Sequence, residues 1–446
     1  MGKFLMLKDK DFHMPMFVEA TAQYGKTMRF EMPINMQVIH TVDPEMIKHF
    51  ISKPDEGVYL KGPRMKKQFQ DFFGDGIFNV DMDLWRWHRG IAGYLFHTSK
   101  LKGAIPIFHK NAQRLFDKME ELRESRSGGI DMQDYFMRYT LDSFAEIGFG
   151  AELNSIDEDV NHFAIAFDYV QTWTNRRGRL GSLWKAKETL FPPSQFKKHL
   201  DYMNTYVLKI IYEKRALPRE ELEKQNDLLS QLLLQDGEGA EQYTDQMLRD
   251  FVMNFLIAGR DTTAMLLTWT TYMLSQNPDV EEKVLQEMDE VLGADFEPTW
   301  KNQKDLRYLK MVLQETLRLF PPVPADGYQA QKDDVAPGNI FVEKGTSVFY
   351  SSYVLHRQPD LWPEPEKFKP ERFTTPPKPY TFLPFHGGPR QCMGMEMAYL
   401  EAKIILCLLL RRFKLRVHKG HEVKMKSAII LTALGGLPCD ITLRNP

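Results

Sequence analysis

The stretch FLPFHGGPRQCMGMEMAYLEAK, Phe382 to Lys403, holds one of only three cysteines in the chain. Cys392 sits just past two glycines, a proline and an arginine, and just ahead of an apolar run with helical spacing. Gly387, Gly388 and Pro389 permit a tight turn, and glycine lets another body approach closely. The cysteine then precedes a helix N-terminus, where unpaired N–H groups and the helix dipole favour a thiolate. Gly394 offers a second smooth contact surface, and Arg390 is a cation suited to a nearby carboxylate. A flat, carboxylate-bearing ligand whose metal takes one thiolate fits this arrangement, and haem is such a ligand. Taken alone, Cys392 also reads as a buried cysteine at a glycine-rich turn.

The rest of the chain narrows the choice. Its 446 residues would suggest about three domains at roughly 150 residues each. No linker, low-complexity tract or internal repeat divides it, so one catalytic domain over 1–446 is expected, large enough to bury a cofactor. A formal net charge of −2 argues against a nucleic-acid binder. Three cysteines make no disulfide framework, which points to a reducing compartment. Cys407 and Cys439 read as small buried hydrophobes. No apolar run reaches the roughly 20 residues that a bilayer span needs. No signal peptide is visible, and MGKFLM lacks the Ser/Thr of a myristoylation signal. The chain as it stands is expected to be soluble, with any N-terminal membrane anchor absent from it.

The pattern is mainly helical with small sheets at the margins. KTMRFEMPINMQVIHTV has strand composition, and DPEMIKHFI reads as a helix with Asp43 as N-cap and Pro44 in its first turn. DMQDYFMRYTLDSFAEIGFG has helical spacing and is expected to stop at Gly148 and Gly150. The longest helix runs from Thr244, its cap, to about Gln276; it is apolar nearly all round in the middle and should be buried. KDLRYLKMVLQETLRLF is a helix stopped by Pro321 and Pro322. Strand signals follow from Val323 to Tyr353, then a proline-rich irregular stretch, the helix after Cys392 to about Arg412, and short terminal strands.

The full spacing Phe385-x-x-Gly388-x-Arg390-x-Cys392-x-Gly394 resembles the haem-thiolate signature of the cytochrome P450 monooxygenases. ETLR (Glu315, Arg318), PERF (with Arg372), AGRDTT (Ala258 to Thr263) and WRWHR (Trp85, Arg89) resemble further motifs of that family, in the expected order. The resemblance implies the P450 fold, with haem b between the long central helix and the helix that follows the cysteine. It implies Cys392 as the iron ligand, with Arg390, Trp85, Arg89, Phe385, Gly394 and His356 around the cofactor. A thiolate axial ligand pushes electron density onto iron and favours O–O cleavage. That chemistry needs protons, and the resemblance assigns them to Asp261 and Thr262, with Gly259 leaving room for oxygen and permitting a local break in the helix. Local hydrogen bonding to the backbone is the alternative for both relay residues, and gating of water for Asp261. Glu315, Arg318 and Arg372 are assigned to structure: a carboxylate between two guanidiniums that clamps the cysteine-bearing loop.

FFGDGIFNVDMDLWRWHR, Phe72 to Arg89, is similar to the fatty-acid hydroxylase branch of eukaryotic P450s. The expected reaction is insertion of one oxygen atom from O2 into a C–H bond at or near the far end of a fatty acid. Phe72, Phe73, Phe78, Phe255, Ala258, Val323, Ala325 and Leu434 are the expected apolar contacts; ordinary core is their alternative. Sterol or other isoprenoid oxidation is the runner-up. A hydroperoxide isomerase or lyase and a haem-binding protein without turnover stand further back. Ala258 occupies the place where related animal enzymes can carry a haem-esterified glutamate, so no such ester is expected. Tyr328 and Gln329 stand where the branch often has Arg or Lys, so one haem propionate contact should be missing or met by a hydroxyl. Electrons are expected from NADPH through a separate cytochrome P450 reductase or another donor, docking on a basic face of Lys403, Arg411, Arg412 and Lys414. A membrane surface is the expected setting: the cytosolic face of the endoplasmic reticulum if an anchor was removed, otherwise the cytoplasm.

Overall fold

The computed structural model describes residues 14–32, 36–52, 56–125, 128–180, 183–235, 243–293 and 297–444; the MGKFLM stretch lies outside them. The elements that build the site are nine helices: α1 (Pro44–Ile51), α2 (Gly62–Phe73), α3 (Met82–Gly93), α4 (Met132–Phe149), α5 (His162–Leu180), α6 (Leu183–Leu190), α7 (Asp245–Gln276), α8 (Arg307–Leu319) and α9 (Met395–Arg412). Capping side chains set several of their ends. Asp43 accepts from the N–H groups of Glu45 and Met46 at the start of α1, and Thr244 accepts from that of Met247 at the start of α7. Helix α4 runs through Gly148 and ends at Gly150, whose φ of 60° is the left-handed conformation that glycine adopts freely. Gly148 is therefore an interior helix position, not a stop.

The largest sheet has five strands: β1 (Thr27–Met32), β2 (Met36–Thr41), β3 (Tyr59–Leu60), β4 (Asp326–Ala330) and β5 (Ser347–Tyr350), in the order β1-β2-β5-β4-β3. β1 and β2 form the antiparallel pair expected from their composition, with Thr27 opposite Thr41. Tyr59 pairs with Ala330 and Leu60 with Gln329. That register brings the residue after β3, Lys61, opposite Tyr328 in β4, within reach of Asp326. Among the described residues three smaller sheets lie elsewhere.

Two apolar cores form. One gathers around Leu266, Trp269, Leu313 and Ile405, between the large sheet and the second halves of α7 and α9. The other gathers around Phe72, Phe144, Phe251 and Ile404, among α2, α4, α5 and the first half of α7. Helix α7 serves the second core through Ile257 and the first from Ala264 onward. The residues left between, Ala258 to Thr263, lie at the seam, and so does the start of α9.

Candidate haem-thiolate site

At this seam α7 changes character. It is buried nearly all round from Leu248 to Thr271, yet Ala258, Gly259 and Thr262 are partly open. Positions i, i+1 and i+4 form one short strip on one face. Helix α7 is unbroken here, in contrast to the expected local break. The absent side chain of Gly259 makes room for a protein ring: a Cβ there would stand 2.1 Å from Cδ2 of Phe144 on α4. The missing side chain lets α4 pack against α7, while the glycine itself stays partly open on the strip. Thr262 donates its hydroxyl to the Ala258 carbonyl at 2.7 Å, a local bond within the strip.

Asp261 points elsewhere, because successive helix residues diverge by about 100°. It is buried, and its Oδ1 accepts from Nη1 of Arg260 at 2.7 Å. Its Oδ2 has no partner. Burial lifts this carboxyl to about 7 against the pull of Arg260, and Asp168 on α5 adds to the rise. The structure therefore separates Asp261 from the open strip that carries Thr262.

The cysteine loop is closed by the Cys392 N–H, which donates to the Phe385 carbonyl at 2.9 Å. Gly388 has φ 63°, and a Cβ on it would meet the Ile51 carbonyl at 2.6 Å. The body that approaches these glycines is thus the end of α1, not a ligand. The Cys392 residue is accessible to solvent, although burial pushes its thiol pKa up. The Gly394 N–H and the Arg89 guanidinium oppose that rise. An exposed residue with that much protein around its thiol is what the wall of a hollow gives. Gly394 borders the sulfur; a Cβ there would lie 3.8 Å from Sγ.

Around this hollow stand the cations of the signature. The Arg390 guanidinium lies 4.8 Å from the centroid of the buried Trp85 ring, and that of Arg89, one turn along α3, at 5.7 Å. Arg390 donates through Nη2 to Val80 O (2.8 Å) and Asp81 Oδ1 (2.6 Å), while its buried Nε lacks a partner. Arg89 donates to Gln391 O at 2.9 Å. A thiol at a hollow, an orphaned guanidinium N–H and a short open strip on the facing helix fit a flat, carboxylate-bearing, thiolate-ligated group.

Three residues that sequence reasoning missed complete this corner. Lys61 Nζ bonds both oxygens of Asp326 (2.6 and 2.7 Å) and lies 4.6 Å from the Tyr328 ring centroid. Asp81 holds Arg390 and accepts from the Lys61 N–H at 3.1 Å. Burial works against the Asp326 carboxylate, but Lys61 and His386 outweigh it and hold the pKa well below the usual range. The Tyr328 hydroxyl bonds His386 Nε2 at 2.7 Å. The cation beside β4 is thus Lys61, from across the sheet and paired with Asp326. Only the β3–β4 register brings them together, and no spacing in the sequence signals it.

His356 is corrected from cofactor neighbour to scaffold. It is wholly buried, its Nδ1–H donates to Arg318 O (3.2 Å) and its Nε2 accepts from Leu383 N–H (2.9 Å). Burial and the Arg318 charge keep it neutral, well below its ordinary pKa. Both ring nitrogens are used, so nothing remains for a propionate. Glu315 and Arg318 form a bidentate pair at 2.7 and 2.8 Å with no open surface. Arg372 joins at 3.2 Å, and Arg318 also donates to the carbonyls of His356, Pro365 and Lys367. These bonds fasten the irregular stretch that leads to Cys392.

The expected apolar contacts divide. Phe72 has no open surface and packs on Phe167 at 5.3 Å, so it is core and not a pocket wall. Phe73 and Phe255 are also nearly closed. Phe78, Val323 and Leu434 each keep more than a third of their surface open, and Ala325 is half-buried. Leu434 lines a separate cavity of about 210 Å³ with Met137 and Asp168. The supposed basic face disperses: Lys403 is buried on Gln303 O (2.6 Å), Arg411 pairs with Asp289 and Arg412 with Glu120.

A family description reading Cytochrome P450 matches residues 1–436. The chain belongs to the cytochrome P450 family. Among its relatives, cytochrome P450 704C1 of Pinus taeda is 33% identical over 92% of this chain and 85% of its own length. Cytochrome P450 86B1 of Arabidopsis thaliana is 32% identical over 91% and 77%. The haem domain of cytochrome P450DA superposes with a TM-score of 0.83 at 26% identity, covering 97% of this chain and 93% of that one. This P450 is accordingly a monooxygenase, an oxidoreductase of a family that uses haem iron and O2 and takes electrons from a redox partner.

Two outcomes are expected of this geometry. Glu315→Gln should lower unfolding free energy by about 3–5 kcal/mol, because it leaves buried guanidiniums without their partner; denaturant unfolding measures this. The Asp261 carboxyl ionises near 3.8 when unfolded and near 7 when folded. Between those values the folded state binds more protons, so its stability falls as pH rises. Asp261→Asn should flatten that fall, read as melting temperature from pH 4 to pH 8 for both proteins.

Proposed function

We propose that this P450 hydroxylates fatty acids at or near the end remote from the carboxylate. The observation that carries the reading is the seating of the GDGIFN segment, the stretch that resembles the fatty-acid hydroxylase branch. Gly74 and Gly76 lie so close to α7 that a Cβ on either would stand 2.1 Å from Asp250 or Asn254. Asp250 Oδ2 accepts from the Asp75 N–H (2.9 Å) and Asn254 Oδ1 from that of Phe78 (3.3 Å). The segment is thereby locked to α7 one to two turns before the open strip. Phe78, 40% exposed, then stands as an apolar surface next to that strip.

In this reading Cys392 ligates the iron, Trp85, Arg89 and Arg390 receive the propionates, and Phe385 and Gly394 shape the loop around the sulfur. Haem, when bound, supplies the activation of O2. Thr262 presents its hydroxyl on the open strip and can move a proton there once it leaves the Ala258 carbonyl. Asp261 exchanges protons from the other side of α7. Ala258, Phe78, Val323 and Ala325 bound the apolar space, and Glu315, Arg318 and Arg372 hold the loop.

The whole chain acts as one catalytic domain. Electrons come from NADPH through a separate reductase; a Bacillus subtilis relative, 34% identical over 82% of this chain, is a bifunctional cytochrome P450/NADPH–P450 reductase. The enzyme works at the cytosolic face of the endoplasmic reticulum if an anchor was removed from this chain, and otherwise in the cytoplasm. Among the described residues no helix is long and apolar enough to cross a membrane.

Spectral titration of the haem-loaded protein with dodecanoate and with a sterol, followed by product analysis with a reductase, tests the proposal. A spin-state change with the acid and a terminal or near-terminal hydroxy acid are expected. A response confined to the sterol would overturn it.

A further inference from the structure

Arg260 and Asp261 stand side by side on α7, and both are buried. A guanidinium beside a carboxylate often takes it with two parallel bonds. Here it makes only one. Nη1 of Arg260 reaches Asp261 Oδ1 at 2.7 Å, while Nη2 turns to the Met137 sulfur on α4 at 3.5 Å. The Arg260 Nε and the Asp261 Oδ2 are left without a protein partner. A thioether is a weak acceptor and a carboxylate a strong one. The guanidinium therefore divides its N–H groups against their intrinsic preference. Leaving buried polar atoms unsatisfied is costly, so the packing around the pair has to enforce the arrangement.

Two helices do so. Met137 and Thr140 lie three apart on α4 and share a face. The Thr140 hydroxyl donates to the Arg260 carbonyl at 2.8 Å, which fixes that turn of α4 against Arg260. From α5, the Phe167 ring centroid lies 5.0 Å from the guanidinium. The cation is held between a ring and a sulfur, with one arm at the carboxyl. The charged groups that act on Asp261 are Arg260 and, from α5, Asp168.

Met137 and Asp168 also line the cavity of about 210 Å³ that Leu434 borders. Gln133, Gln171, Thr172 and Lys426 add polar side chains to its wall. A polar space of that size has room for several waters. Met137 therefore touches both this cavity and the partner of Asp261. A carboxylate fully engaged by a guanidinium is held ionised. One held by a single bond keeps an oxygen for a proton.

We propose that Met137 is a positioning residue for Asp261: its sulfur draws one arm of Arg260 aside, so that the ion pair rests on a single bond and one carboxyl oxygen stays free to take a proton. The inference rests on the reading of Asp261 as a proton carrier in the proposed hydroxylase, and adds the residue that keeps it fit for that role.

The test compares the haem-loaded parent with two variants. Met137→Leu keeps the volume and removes the acceptor; Met137→Gln puts a carbonyl acceptor back. Melting temperature checks that both fold. Infrared titration of the protonated carboxyl band, assigned by its loss in Asp261→Asn, reads the ionisation of Asp261 without turnover. The parent midpoint should lie near 7. In Met137→Leu the freed arm closes on Oδ2, and the midpoint should fall by about one unit, a tenfold change in the ionisation constant. Met137→Gln should keep the parent value. At pH 8 the protonated fraction in Met137→Leu is then about tenfold smaller. Peroxide formed per hydroxy acid, measured with dodecanoate and a reductase, should rise with that loss.

An unchanged midpoint in Met137→Leu would overturn the inference and leave the fatty-acid reading in place. So would a midpoint lowered equally in Met137→Gln, since the acceptor would then be immaterial. A lowered midpoint with an unchanged peroxide ratio would also overturn it, because turnover would not use the carboxyl that Met137 tunes. A parent that forms no hydroxy acid would overturn the fatty-acid reading, and the titration would still decide what Met137 does to Asp261.

Discussion

Two apolar cores meet along one seam, and α4, α7 and α9 are among the helices that contribute to both. Everything chemical in this molecule is placed by that seam. A close-packed interior tolerates few voids, so a hollow has to be enforced by what surrounds it. Here Ala258, Gly259 and Thr262 stay partly open in a stretch of helix, Leu248 to Thr271, that is otherwise buried. Across the seam, Cys392 sits before the first turn of α9, its loop fastened by the bond to Phe385.

Buried charge does most of the remaining positioning. Glu315 and Arg318 are paired with no open surface, and the spare guanidinium N–H groups reach carbonyls at 356, 365 and 367. Such a pair contributes little net stability against an apolar substitute, yet it is costly to break. Its effect is to fix an irregular stretch that has no sheet or long helix to define it. The corner of Lys61, Asp81, Asp326 and Arg390 works alike on the other side of the sulfur.

Much of this was legible in the residues. The cysteine signature, the bidentate Glu-x-x-Arg pair, the capped helix from Thr244 and the Trp85–Arg89 pair each rest on short-range spacing, which sequence displays directly. What was not legible depends on register and on direction. Lys61 meets Asp326 only because β3 pairs with β4. Gly259 yields its space to Phe144 because α4 crosses α7 at that point. His356 spends both nitrogens on backbone partners 38 and 27 residues away. Asp261 and Thr262 are neighbours in sequence, and the helix turns them apart. Composition likewise promised a basic face after the cysteine helix, but Lys403 is folded inward and Arg411 and Arg412 are paired. Charge count alone cannot tell a face of free cations from a set of ion pairs.

The bond that Cys392 makes when haem is present decides the chemistry of this site. The ferrous carbonyl spectrum of the haem-loaded protein tests it directly. The parent should give the thiolate-type band, and Cys392→His should bind haem without it. An imidazole-type band in the parent, or a thiolate-type band that survives in Cys392→His, would contradict the assignment of the sulfur.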